Sequence, residues 1–325
     1  MLVLPMPSVD SNSFSPLHFG DRLTAAISNK GTPLVVGIDP RAGQLPEVIK
    51  NAMDVANPES VANAFAEFGI AIIDVVKDLV PAVKPQAAFF EQLGPLGMAA
   101  LAEIVDHATA AGLVVVMDAK RGDIGSTADA YAKAYLGHKS QTAWGCDCLT
   151  VNPYMGYDTL EPFFNTAKSN GAGLFVLCKT SNPGSDALQE QVTDGGQTIH
   201  QRVADEIQRL CGLTKGDSGY GIVGAVVGAT YPEQLAELRR QMPNSILLVP
   251  GFGAQGGTAS DVAGAFDENG LGAIINSSRG IIFAYEQEKY QSQAKEDWKL
   301  AVKQATVDTI EVLAAGTNAG KLAKR

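Results

Sequence analysis

The chain has 325 residues, 46% of them hydrophobic and 18% charged, which is enough to bury a large core as one big α/β barrel or as two smaller domains. A formal charge of -10 and a pI near 4.9 argue against binding to a nucleic acid polymer, which needs a basic face to displace counterions. A small anion can still be held where cations are focused in one cleft.

In chain order, Met1 to Met6 are apolar but interrupted by Pro5 and lack a basic start, so they do not read as a signal peptide. A Ser/Pro/Asn-rich segment follows and is expected to be mobile; residues 17–29 then read as a short helix. Leu34-Val35-Val36-Gly37-Ile38-Asp39-Pro40 is a first strand ending in an acid. Asn57, as N-cap, and Pro58, at the first helical position, start a long amphipathic helix to about residue 79. Ala82-Val83-Lys84-Pro85 is a second strand, ending in a base, and residues 95–111 are helical. The β-branched run from Val114 is a third strand, and residues 127–137 the next helix.

Residues 147–152 form a fourth strand stopped by Pro153, 159–170 a helix, and 173–179 a fifth strand ending in Lys179. The polar stretch 180–196 is long for a βα connection, which suggests a lid or a disordered loop. Helix 198–210, strand 222–227, helix 231–241, strand 246–250, helix 259–266 and strand 272–276 complete the alternation. A final helical region, 291–314, precedes a tail expected to fray. No apolar run reaches membrane-spanning length. Cys146, Cys148, Cys178 and Cys211 are too few for a disulfide framework and read as buried free thiols, so a cytoplasmic protein is expected.

Eight strands alternating with helices are the order of a (β/α)8 barrel, here one domain over 1–325 whose first helix closes the lower end. A doubly wound sheet is the alternative. In a barrel the active site lies at the strands' C-terminal ends. Asp39, Lys84, Asp118 with Lys120, Asn152, and Lys179 with Thr180 all stand there, each after an apolar run.

The third strand ends in Asp118-Ala119-Lys120-Arg121-Gly122-Asp123, a charged cluster that a buried sheet would not tolerate in its middle. Alternation puts Asp118 and Lys120 on one face, with Asp123 in the turn beyond. Two carboxylates around one ammonium would keep Lys120 charged, a proton donor and not an amine nucleophile. A strand-end salt bridge would explain two of these charges but not the third together with Gly122 and Gly125. After the seventh and eighth strands, where barrels often hold phosphate, come Pro250-Gly251-Phe252-Gly253-Ala254-Gln255-Gly256-Gly257 and Asn276-Ser277-Ser278-Arg279-Gly280. Glycines admit phosphate oxygens to backbone N–H groups, and Arg279 supplies a bidentate cation.

Asp118-x-Lys120-x-x-Asp123-Ile124-x-x-Thr127 resembles the signature of orotidine 5'-phosphate decarboxylases, and its full wording resembles the branch with larger, bacterial-type chains. The resemblance runs from Asp39 to Arg279. It implies loss of CO2 from C6 of orotidine 5'-monophosphate to give uridine 5'-monophosphate, in de novo pyrimidine biosynthesis and without metal or other cofactor. It implies Lys120 as the acid, Asp118 facing the departing carboxylate, and Asp39 and Lys84 on the ribose hydroxyls. By the same resemblance Thr127 positions the nucleotide, and Thr180 or Ser181 lies near the pyrimidine. Asn152 joins them as a candidate by its strand-end position. Gly253, Gly256 and Arg279 would hold the phosphate, with Gln255 linking phosphate and base. Asp123 is expected in the neighbouring subunit's site, across a homodimer. The main alternative is a Mg2+-dependent sugar-phosphate decarboxylase or aldolase on the same barrel, which would need a carboxylate where this chain has Lys84. A third reading is a catalytically dead nucleotide-binding barrel, against which the full set of charges counts.

Overall fold

The computed structural model describes residues 18–138, 140, 142–253 and 257–324. Eight parallel strands close on one another in sequence order. They are β1 (Leu34–Ile38), β2 (Ala82–Pro85), β3 (Val114–Arg121), β4 (Cys148–Val151), β5 (Gly173–Lys179), β6 (Val223–Val227), β7 (Leu247–Pro250) and β8 (Ala273–Ser277), and β8 pairs back onto β1. This is the expected (β/α)8 barrel. Its strands are almost wholly buried, as parallel strands covered on both faces must be.

Local signals set the helices that cover the barrel. Asn57 accepts a bond from the Glu59 N–H at 3.0 Å, and Pro58 opens the helix Pro58–Val76. That helix buries Phe65 against Phe90, edge to face at 6.1 Å, and stacks Phe68 on Phe283 and Trp298. Each buried phenylalanine is worth roughly 1.5–3 kcal/mol, so these contacts tie the helix to the segments that follow β2 and β8 and to the start of the helix Trp298–Gly316. At the lower end Phe19, at the start of the helix Phe19–Lys30, packs edge to face on Phe175. Gly173 is required beneath it, since a Cβ there would lie 2.1 Å from the Phe19 ring.

Two expectations are corrected, a fraying tail and a disordered 180–196 stretch, and the final helical region is refined. The final helical region is two helices, Gln291–Glu296 and Trp298–Gly316, because Asp297 is extended and caps the second by accepting from the Lys299 N–H at 2.9 Å. The tail does not fray within the described residues: Asn318–Lys324 is a 3-10 segment with Ala319 and Leu322 in the core. It is tied by Asn318 and Lys321 to the carbonyls of Asp267 and Glu268. The 180–196 stretch is folded, containing the helical turn Asp186–Gln189 and an antiparallel bridge between Val192 and Thr198. The expected mobile segment before residue 18 lies outside the described residues.

Candidate active site

The C-terminal ends of the strands surround a cavity of about 470 Å3, and Asp118 is its electrostatic centre. The Asp118 side chain is 10% exposed, and both its oxygens are bound by ammonium groups: Oδ2 by Lys84 Nζ at 2.6 Å and Oδ1 by Lys120 Nζ at 2.6 Å. Thr150 Oγ1 donates to Oδ1 and Gln86 Nε2 to Oδ2, each at 3.0 Å. Burial alone would raise the Asp118 pKa, but Lys84 and then Lys120 outweigh it and hold the carboxyl well below the usual carboxylate range. Burial likewise works against the charge on Lys84, yet Asp118 and then Asp39 keep its pKa above the ordinary value. Asp39, Lys84, Asp118 and Lys120 therefore form an array of alternating charge around one space. Within one chain the arrangement inverts the expected pair of carboxylates around one ammonium: here one carboxylate lies between two ammonium groups.

Lys120 reaches Asp118 by a local break in the strand. The pairing of β3 with β4 shifts register between Met117 and Arg121. Among the described residues Lys120 is the one non-glycine with left-handed backbone, φ 50°, a conformation costing about 1–2 kcal/mol. Thr150 Oγ1 offsets that cost by accepting from the N–H groups of Ala119 and Lys120 at 3.0 and 2.9 Å. Thr150 thus serves the kink and the carboxylate together. Thr150 and Gln86 are site residues that the sequence reading missed, and Asn276, read there only as the end of the eighth strand and the first residue of the turn that carries Arg279, also lines the cavity. The one signal for Thr150 is weak: a hydroxyl in the buried strand Cys148–Val151, borne by a β-branched residue that strands favour in any case.

Thr180, Ser181 and Arg279 line the cavity with Asp39, Lys84, Asp118 and Lys120. Gly253 meets Arg279 in an adjoining recess at the rim. Gln255 and Gly256 lie outside the described residues. Asp123, Thr127 and Asn152 do not line their own chain's cavity: the Asp123 carboxylate accepts from the Ile124 N–H, and Asn152 Oδ1 from the Tyr154 N–H. Lys179 is turned out of the cavity and buried behind it. All four cysteines are buried and none is in a disulfide, and burial pushes the Cys178 thiol up to about 12, which suits core packing and not nucleophilic work. Two acceptor oxygens in the cavity wall, Asp39 Oδ1 and Asn276 Oδ1, are buried without a hydrogen-bond partner. Such atoms call for donors from a ligand.

Residues 32–293 match the model of the Orotidine 5'-phosphate decarboxylase / HUMPS family. The chain belongs to this family. An orotidine 5'-phosphate decarboxylase of Rhodopirellula baltica is 54% identical over 300 residues, covering 91% of this chain and 99% of the relative. A crystal structure from Streptomyces avermitilis superposes with a TM-score of 0.77 at 34% identity, covering 95% of this chain and 99% of that one. The OMP decarboxylase of Leishmania donovani superposes with a TM-score of 0.70 at 32% identity, covering 92% and 98%. The family motif falls on the kinked end of β3, where Asp118 meets both lysines.

Proposed function

We infer that this chain converts orotidine 5'-monophosphate to uridine 5'-monophosphate and CO2 without a cofactor, Lys120 being the proton donor. The observation that carries the reading is the Asp39, Lys84, Asp118, Lys120 array in one cavity with Arg279 at its rim. The bond from C6 to the carboxylate breaks, its electron pair stays on C6, and CO2 departs. With no electron sink in the pyrimidine, fixed charges must stabilise that carbanion, and the Lys120 ammonium is held in place for it by Asp118. Lys120 then delivers its proton to C6 and recovers one from solvent, to which its side chain is 46% exposed. Asp118 faces the leaving carboxylate, a like-charge contact relieved as CO2 leaves.

Asp39 and Lys84 take the ribose hydroxyls, and the unpartnered oxygens of Asp39 and Asn276 supply acceptors for them. Thr180 and Ser181 flank the pyrimidine. Arg279 and Gly253, with Gln255 and Gly256, take the phosphate, whose binding energy is expressed at the distant C6. Asp123 and Thr127 serve a partner's cavity in a homodimer. That role is supported by their position outside their own cavity and by the exposed Ile124, Tyr154 and Met155 beside them. The reaction places the chain in pyrimidine biosynthesis, and among the described residues no helix is long and apolar enough to cross a membrane; a cytoplasmic location fits this. A Mg2+-dependent sugar-phosphate activity is disfavoured because both Asp118 oxygens are taken by ammonium groups and the end of β2 carries Lys84.

Turnover of orotidine 5'-monophosphate in EDTA tests the reading, and activity is expected to persist there. Lys120→Ala should lower kcat by more than the roughly 10²–10⁴-fold typical of a lost general acid, because Lys120 also neutralises developing charge, while uridine 5'-monophosphate still binds. A Lys120→Ala enzyme keeping about a tenth of wild-type kcat would remove Lys120 from the chemistry.

A further inference from the structure

Lys179 is a charged residue of the barrel end for which the reaction above has no use. Its side chain is 1% exposed, yet its ammonium makes a full set of contacts outside the cavity. Nζ lies 2.7 Å from Asp186 Oδ1, 2.9 Å from Glu190 Oε1 and 3.2 Å from Ser185 Oγ, and sits 4.8 Å over the Tyr231 ring. Both carboxylates belong to the helical turn Asp186–Gln189 and the residue after it. Burying an ammonium is costly unless it is paired, so this cluster fixes the turn against the end of β5.

The same turn carries Gln189, whose side chain grips Thr180 twice. Gln189 Oε1 accepts from the Thr180 N–H, and Nε2 donates to Thr180 Oγ1, both at 2.9 Å. Thr180 and Ser181 are cavity wall. Ser181 is pressed against Gly228 at the end of β6, where a Cβ would meet the Ser181 Cβ at 2.8 Å, and the Gly228 N–H donates to the Lys179 carbonyl at 2.8 Å. The wall therefore has one firm side, β6, and one adjustable side, the turn that Lys179 anchors.

We propose that Lys179 is a positioning residue, which acts through Asp186, Glu190 and Gln189 to hold the Thr180–Ser181 wall in the geometry the transition state requires. The proposal rests on the decarboxylase reading for its kinetic consequence but not for its structural one. Charge outside the barrel thus sets geometry inside it.

The experiment compares Lys179→Met, Gln189→Ala and the double variant. Gln189 is only half-buried, so its truncation is expected to leave the fold intact even if Lys179→Met destabilises it. Each single variant should lower kcat for orotidine 5'-monophosphate about tenfold or more with a smaller change in KM. The double variant should be no worse than the worse single one, since both substitutions break one chain of contacts. Hydrogen exchange at the Thr180 amide should be about tenfold faster or more in both single variants, independently of any activity. A folded Gln189→Ala enzyme with kcat within about twofold of wild type, or losses that multiply in the double variant, would overturn the kinetic part. Unchanged Thr180 exchange would overturn the coupling itself. If the wild type does not turn over this substrate, the decarboxylase reading fails, and the exchange measurement still decides the coupling.

Discussion

Asp118 holds two ammonium groups at once, so its replacement tests more than catalysis. Lys84 and Asp118 are both buried, their side chains 5% and 10% exposed, and removing one partner leaves the other's charge unpaired. Breaking such a pair costs about 3–5 kcal/mol, here moderated by Asp39, which also acts on Lys84. Asp118→Asn is therefore expected to lose activity and to melt several degrees lower at pH 7. The pH dependence follows from the downward shift of its pKa. A carboxyl depressed on folding stabilises fully above its unfolded pKa, about 3.9, and loses that contribution as pH falls through the lower folded value. The stability gap between wild type and Asp118→Asn should hold steady above about pH 5 and narrow by about 1.4 kcal/mol per unit below pH 4. Thermal melts at pH 7, 5, 4 and 3 measure it, and a gap unchanged at pH 3 would show that packing, not charge, is responsible.

Strand ends carry the site, and they are also where period-two alternation stops being a guide. The interior of each strand was legible because apolar β-branched runs between turn residues have few other uses. Asp118 and Lys120 were legible as neighbours, although the route is a left-handed Lys120 supported by Thr150, not a continued pleat. Thr150 was not legible, since a threonine in a strand reads as a β-branched filler. Lys179 ends β5 as expected but does not face the cavity: Leu177 lines it, and the register with β6 shifts between the two residues and turns the lysine outward. The two loops after β7 and β8 were legible as glycine-rich turns, and their joint recess contains Arg279 and Gly253. Two charge-assisted bonds to phosphate make Arg279→Ala expected to lower kcat/KM about 10²-fold or more, through KM and also through kcat. The phosphate-free nucleoside should show almost none of this loss. An equal loss with both substrates would place the phosphate elsewhere.

At the scale of the whole molecule the question is what Asp123 is for. Its carboxylate caps the Ile124 N–H and is absent from the wall of its own cavity. The loops around it run side by side, with Gly122 close to the Asn152 carbonyl and the Met155 methyl. Ile124 and Tyr154 are 61% and 75% exposed there, more apolar surface than an isolated barrel end gains from displaying. A two-fold dimer would cover this patch with itself and carry Asp123 towards the partner's Lys120 end of β3. The consequence is a test with two inactive variants. In a mixed dimer of Lys120→Ala and Asp123→Ala subunits, one shared site would hold both defects and the other neither. Random mixing makes about half of the dimers mixed, each with one intact site of two, so about one quarter of wild-type activity should return. If Asp123 serves its own cavity, every site in the mixture carries a defect and activity stays at the variants' baseline. Subunit exchange verified by native mass spectrometry, with no recovery of turnover, would therefore confine Asp123 to its own chain.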